Sequence, residues 1–291
     1  MSQFFIENSF LKVGINQVGA EFASLQSVAD GTEYLWQADP KYWGRHSCIL
    51  FPYIGKVWED KFRIGEKTYH GKQHGFARNM LFEKILLEKE KAIFQLKHGE
   101  KILDEYPYQF SLLVKYVLEK NQLHIIYEVE NLDDQAIYFS LGAHPAFNVP
   151  LKKNEKRSDY ILEFEKAEKV KTLEITNGYL DGNSRAIFDG KNTIQIADDL
   201  FEKDALIFKN LESNFLHLKN SEGEKIWTFT FEGFPYLGIW SKNEESPFIC
   251  IEPWFGVADE MNASWDFREK EGIVKLDIGK KFSCKHSVMI Y

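Results

Sequence analysis

The sequence predicts an all-β fold of large antiparallel sheets with few short helices. Three observations lead there. Apolar and polar residues alternate with a period of two in one segment after another. Aromatic residues make up 15% of the chain, with 24 Phe, 13 Tyr and 7 Trp, and such residues favour strands over helices. The gaps between segments are mostly short and carry Gly, Asn, Asp or Pro, the residues of turns.

Taken in order, "FLKVGIN" and "FASLQSV" read as the first strands. "DPKYWGRHS" follows as a single helical turn, with Asp39 as its N-cap and Pro40 in the first position. "KFRIGEKTYH", "AIFQLKHG" and "FSLLVKYVLE" resume the extended pattern. In "QLHIIYEVE", Leu123, Ile125, Tyr127 and Val129 face one way, which marks a half-buried strand. It stops at the turn cluster "NLDDQ", and "AIYFSLGAHPAF" continues beyond. "KKNEKRSD", residues 152–159, reads as an exposed loop. "SDYILEFE", "TIQIADD", "NFLHLKN", "KIWTFTFE", "FPYLGIWS", "PFICIEPW" and "KHSVMIY" complete the strand set. "GVADEMNASWDF" is a second place for a short helix. No stretch of 15 residues keeps a helical period, and no repeat or low-complexity linker breaks the chain. Residues 1–291 are expected to form a single β domain, large enough to bury a core without disulfides or metals.

Lys and Arg total 36 against 44 Asp and Glu, a formal charge of −8, so the basic surface of a nucleic-acid binder is not expected. Three cysteines, Cys48, Cys250 and Cys284, stand far apart and form no CxxC pair. That argues against a secreted disulfide framework and against a structural zinc site. The N-terminus lacks the pattern of a signal peptide, and no apolar run approaches the ~20 residues of a membrane helix. A cytoplasmic, soluble protein with no membrane or nucleic-acid partner is the expectation. The sequence leaves monomer or homodimer open.

Chemistry is sought where charge sits in apolar company. Glu252 lies in "PFICIEPWFG", where desolvation would raise its pKa towards that of a general base. The alternative is a solvated strand face or a pairing with Arg. His144, in "SLGAHPAFNVP", follows small residues that would let a ligand approach; a core histidine bonded to a carbonyl is the other reading. In "QHGFAR", Gly75 permits a backbone angle that could aim His74, and Arg78 either enters a cleft or ties down the loop through a carboxylate. His70 and His74 have the i,i+4 spacing of a metal pair, but Gly71 and Gly75 oppose a helix there. Lys56, after the glycine turn of "FPYIGK", is a candidate or a plain surface lysine. Asp204, before the apolar run of "KDALIF", is a candidate or a strand cap. GxSxG, Walker A, HExxH and a GxGxxG after a strand are all absent. Acid–base chemistry or sugar binding remains, with aromatics to stack on a sugar face.

The segments "YWGRHSCILFPYIGK", "QHGFAR", "GAHPAFNVP", "KDALIF" and "ICIEPWFG", together with the opening "LKVGINQVGAEFASLQSVADGTEYLWQ", resemble in order the aldose 1-epimerase (mutarotase) family, and within it the LacX-like branch. The resemblance implies a galactose mutarotase-like supersandwich with an open cleft. It implies a cofactor-independent and metal-free isomerase of carbohydrate metabolism that interconverts α and β anomers of a sugar by opening and closing the ring. Carried over, Glu252 is the base that takes the C1 hydroxyl proton, and His144 is the acid that protonates the ring oxygen. His74 is the second histidine near that oxygen, and Asp204 holds a hydroxyl. Lys56 falls where better-known members carry a substrate-binding arginine, although lysine lacks the planar fork. Arg78 is a further substrate-binding candidate. Three other readings stay open. They are a hexose-6-phosphate 1-epimerase using Arg45, Lys56 and Arg78, a non-catalytic carbohydrate-binding protein, and a glycoside hydrolase using Glu252 with Asp204.

Overall fold

The computed structural model describes residues 2–291. Most of its period-two segments become the strands of two large antiparallel sheets, while Leu11–Asn16 and Glu21–Ser27 belong to a separate three-stranded sheet and Lys61–Ile64 pairs only with Lys67–His70. Across the nine-stranded sheet the strands run Thr193–Gln195, Ile161–Phe164, Phe215–Lys219, Lys225–Thr230, Lys281–Ile290, Gln122–Asn131, Phe110–Glu119, Lys91–Lys97 and Glu83–Leu87. Within Gln122–Asn131, the expected residues Leu123, Ile125, Tyr127 and Val129 are the buried ones. Across the seven-stranded sheet the order is Tyr179–Ala186, Lys171–Thr176, Leu206–Lys209, Tyr236–Trp240, Phe248–Phe255, Leu141–Asn148 and Ser47–Leu50.

The two sheets pack face to face. Ala143, Phe147, Leu237, Ile239, Ile249 and Ile251 of the smaller sheet share one apolar cluster with Trp227, Phe229 and Val129 of the larger. Phe147 meets Trp227 with ring centroids 4.7 Å apart. The smaller sheet is buried on its other face too, and there the residues differ. Cys48, Leu50, Ile207 and Trp254 form one satellite cluster, and Ala146, Cys250, Phe248 and Trp36 another. These clusters floor a cleft.

Differences from the sequence expectation have local causes. Ser47–Leu50 is buried at every position, so it shows no alternation to read. Tyr179–Ala186 is a mostly polar edge strand. The helix Glu100–Glu105 has six residues, too few to establish a period. Asp39 does start a turn, in which its carbonyl accepts from the N–H groups of Tyr42 and Trp43, each at 3.0 Å. "GVADEMNASWDF" holds no α-helix; a 3₁₀ turn, Phe267–Glu269, begins at its end with Asp266 as cap. In the exposed loop 152–159, Arg157 is buried and donates to the carbonyls of Asn243, Glu244 and Ser246. No helix among the described residues is long and apolar enough to cross a membrane.

Candidate active site

Two neighbouring strands bring the central pair together. Leu141–Asn148 and Phe248–Phe255 are antiparallel, with Gly142 opposite Trp254 and Ala146 opposite Cys250. Midway between those pairs the same register places His144 opposite Glu252. Each is followed by a proline, Pro145 and Pro253, which has no N–H for the ladder. His144 Nε2 lies 3.2 Å from Glu252 Oε2. The contact lacks hydrogen-bond alignment, and Glu252 Oε2 and His144 Nδ1 are both buried without a partner. Buried polar atoms without a partner are uncommon in folded proteins.

The pair opens into a cleft of about 620 Å³ whose lining also includes His74, Arg78, Asp204, Trp43, Trp240, Trp254 and Lys242. Trp254 lies over two glycines; a Cβ at Gly142 or Gly238 would come within 2.6 Å of its indole. Trp43 stacks on the His144 imidazole at 4.6 Å and 23°, and Trp240 meets the same ring edge-on at 5.7 Å. The imidazole is therefore fixed in plane between a carboxylate and two indoles.

His74 is held by the backbone. Gly75 has φ +68°, and a Cβ there would sit 2.2 Å from the Phe51 carbonyl oxygen, so only glycine fits. The Gly55 N–H donates to His74 Nδ1 at 3.1 Å. That bond puts the ring proton on Nε2, so His74 can offer a donor to a ligand. Its ring lies 5.8 Å from that of His144. Burial holds His74 well below the usual histidine range, and the neighbouring His144 and Arg78 push the same way.

Burial also pushes His144 down to about 3, helped by the Arg78 and Arg45 guanidiniums. Burial raises Glu252 well above the usual carboxylate range, and the Asp204 charge adds to the rise. Mutual attraction at 3.2 Å would act the other way on both. Burial dominates both shifts, with His144 7% exposed and Glu252 2%. It favours neutral imidazole and carboxylic acid over the ion pair. The pair titrates as a unit, not as two independent residues.

Of the six residues singled out in the sequence, His144, Glu252, His74, Asp204 and Arg78 line one cleft. Asp204 is on its exposed rim, with φ +69°, and its carboxylate accepts from the Ala205 N–H. Arg78 lines the cleft, and it holds the loop through a backbone carbonyl rather than the expected carboxylate. It donates to the Gln73 carbonyl at 2.6 Å and leaves a buried, unpartnered Nε at the cleft. Lys56 is not among the lining residues; its ammonium donates to the Asn177 carbonyl at 2.9 Å and lies over the Tyr179 ring. Trp43, Trp240 and Lys242 were missed by sequence reasoning. Trp43 carried a signal, an indole in a polar turn, whereas nothing in "WSKNEES" distinguishes Lys242. His144, Cys250 and Glu252 also form a possible metal-ligand set, with one donor atom from each within 4.8 Å of the others.

A sheet-floored cleft lined by a buried histidine and glutamate, with indoles around them, is the kind of concave site that takes a small polar ligand. The chain belongs to the aldose 1-epimerase family, whose sequence pattern covers residues 2–264. It is 34% identical to "Protein LacX, plasmid" of Lactococcus lactis subsp. lactis over 95% of this chain and 96% of that one. Among solved structures, a galactose mutarotase related enzyme from Lactobacillus acidophilus is 35% identical and superposes with a TM-score of 0.94, covering 100% of this chain and 97% of that one. A galactose mutarotase-like protein from Lactobacillus casei ATCC 334 is 34% identical with a TM-score of 0.93, covering 100% of both chains. The architecture is thus the expected galactose mutarotase-like fold.

Proposed function

We propose that this protein is a hexose 1-epimerase that interconverts α and β anomers by acid–base ring opening, with the whole chain acting as one domain. The observation that carries the reading is the 3.2 Å approach of His144 Nε2 to Glu252 Oε2 inside the cleft. The exocyclic O1 and the ring oxygen of a pyranose are both bonded to C1. One group must take a proton at the first while another gives one at the second, so two exchangers in contact suit that spacing.

Ring opening breaks the C1–O5 bond. Glu252, as carboxylate, takes the O1 proton, the O1 electron pair forms the C1 carbonyl, and protonated His144 delivers its proton to O5. The free aldehyde turns about C1–C2. Closure on its other face reverses both transfers and restores the pair. The reacting form, carboxylate with imidazolium, has the same net charge as the neutral resting form. Moving one proton across the contact interconverts them. Sugar hydroxyls at the unpartnered polar atoms replace the lost hydration and favour the charged form. His74 Nε2–H is placed to donate near O5, Asp204 to accept from a sugar hydroxyl, and Arg78 to donate to one. Trp43, Trp240 and Trp254 provide apolar faces for the ring.

A hexose phosphate is a second reading, favoured by one observation: Arg78 and Lys242 both line the cleft. Two cations would suit a phosphate better than a neutral sugar. Polarimetry decides. Freshly dissolved α-glucose or α-galactose should mutarotate faster with the protein than in buffer. A hexose 6-phosphate substantially preferred over the free sugar would select the second reading. Binding of sugar without acceleration of any common aldose or its phosphate would leave a binding protein.

A further inference from the structure

The floor of the cleft holds a group that ring opening does not use. Cys250 lies two residues before Glu252, on the same face of the same strand, and is fully buried. One donor atom from each of His144, Cys250 and Glu252 lies within 4.8 Å of the other two. Glu252 Oε2, the oxygen 3.2 Å from His144 Nε2, is buried there with no hydrogen-bond partner. From this arrangement we propose that the three side chains form a site for a thiophilic divalent cation, zinc, whose binding switches the enzyme off.

Three arguments select this ion. An imidazole nitrogen, a sulfur and a carboxylate oxygen are the donors zinc takes, whereas magnesium and calcium require mostly oxygen. Tetrahedral zinc with normal bond lengths separates such donors by roughly 3.4–3.6 Å. The nitrogen–oxygen edge is already 3.2 Å, so the sulfur makes the main adjustment, from at most 4.8 Å to the roughly 3.6 Å of a tetrahedral site. Charge also balances. Thiolate and carboxylate bring two negative charges to a doubly positive ion, while the imidazole stays neutral. A neutral cluster is the form that a buried site tolerates. On binding, the Cys250 thiol proton and the proton shared by the His144–Glu252 pair leave to water. The fourth position is left to water from the cleft that His144 and Glu252 line. Inhibition follows because the metal takes the lone pairs needed for proton transfer. Inhibition, but not binding, rests on the epimerase reading.

The test uses the full protein with cobalt(II) as a spectroscopic stand-in for zinc. Wild type should show a thiolate-to-cobalt charge-transfer band and the visible bands of a tetrahedral ion, both removed by added zinc. Cys250→Ser and Cys250→Ala should lose the charge-transfer band, while Cys284→Ser keeps it. The loss of zinc affinity in the Cys250 variants should exceed the roughly 10–100-fold typical of outer-shell partners. Zinc should inhibit wild-type mutarotation in competition with sugar and spare the Cys250 variants, and a chelator should restore the rate. Thermal unfolding of both variants confirms the fold. A wild-type spectrum without thiolate charge transfer, or one unchanged in the Cys250 variants, overturns the proposal. If no sugar turned over but the cobalt band behaved as stated, the metal site would stand and the epimerase reading would fall.

Discussion

The two faces of the seven-stranded sheet are made by alternate residues of the same strands, yet they do different work. Towards the larger sheet, Ala143, Phe147, Ile249 and Ile251 fill an apolar core. Towards the cleft, the intervening positions are Gly142, His144, Ala146, Cys250, Glu252 and Trp254. One face is aliphatic and aromatic bulk. The other mixes small residues, ionisable residues and indole. The contrast separates stability from chemistry within single strands, so a change at residue 251 and one at residue 252 should have opposite signatures.

The largest expected effect is at Glu252. Glu252→Gln should lower kcat roughly 10²–10⁴-fold in polarimetry. Thermal unfolding should show no loss of stability, because the variant removes a buried acid and keeps its shape. In wild type, the singly protonated pair is the active form, and His144 accepts a second proton only near its depressed value of about 3. Protonation of His144 should therefore not depress the rate above about pH 5, and an acid limb should appear only in stronger acid. An acid limb near the ordinary histidine range would show that burial does not govern the pair.

Ile251→Ala should do the reverse. Loss of a fully buried side chain should cost about 2–5 kcal/mol in denaturant unfolding. Turnover per folded molecule should hardly change.

His286 sharpens the comparison from the core side. Like His144 it is held down to about 3 by burial. Unlike His144 it lies away from the cleft, stacked against Phe229 and Tyr127, with neither ring nitrogen partnered. Its folded value lies below the unfolded value of 6.5, so only the unfolded chain takes up the proton as pH falls between them. Stability attributable to this residue is thus present above pH 6.5 and lost towards pH 3. By pH 4 the loss should reach ~3 kcal/mol. His286→Leu should flatten that part of the stability profile; an unchanged slope would remove His286 as its cause.

The smallest effects concern the two candidate cations. Arg78→Ala should raise KM about tenfold, the weight of one charge-assisted hydrogen bond. Lys56→Ala should leave KM within about twofold, since its ammonium is directed at Asn177.

Much of this was legible beforehand, and the reasons are local. Alternation identified Gln122–Asn131 because Leu123, Ile125, Tyr127 and Val129 put one apolar face on the strand, and a dense run of apolar and aromatic residues marked Phe248–Phe255, which is buried on both faces. His144 and Glu252 stood out as ionisable residues in apolar strands, and the resemblance joined two positions more than a hundred residues apart. Register then explained why they meet. Lys56 was placed by motif position, but side-chain direction depends on contacts that a motif does not encode. Here the turn at Asn177–Gly178 captures the lysine. Trp240 and Lys242 join the cleft through strand order, which no local pattern states. Nothing in its apolar segment singles out Cys250, and its proximity to His144 appears only across the ladder.

The most direct test is a crystal structure of Glu252→Gln with a bound hexose. The account predicts C1 facing the pair, O1 within hydrogen-bond reach of residue 252, and the ring oxygen beside the His144 and His74 imidazoles. A monosaccharide seated with its anomeric carbon towards solvent, away from both histidines, would contradict it.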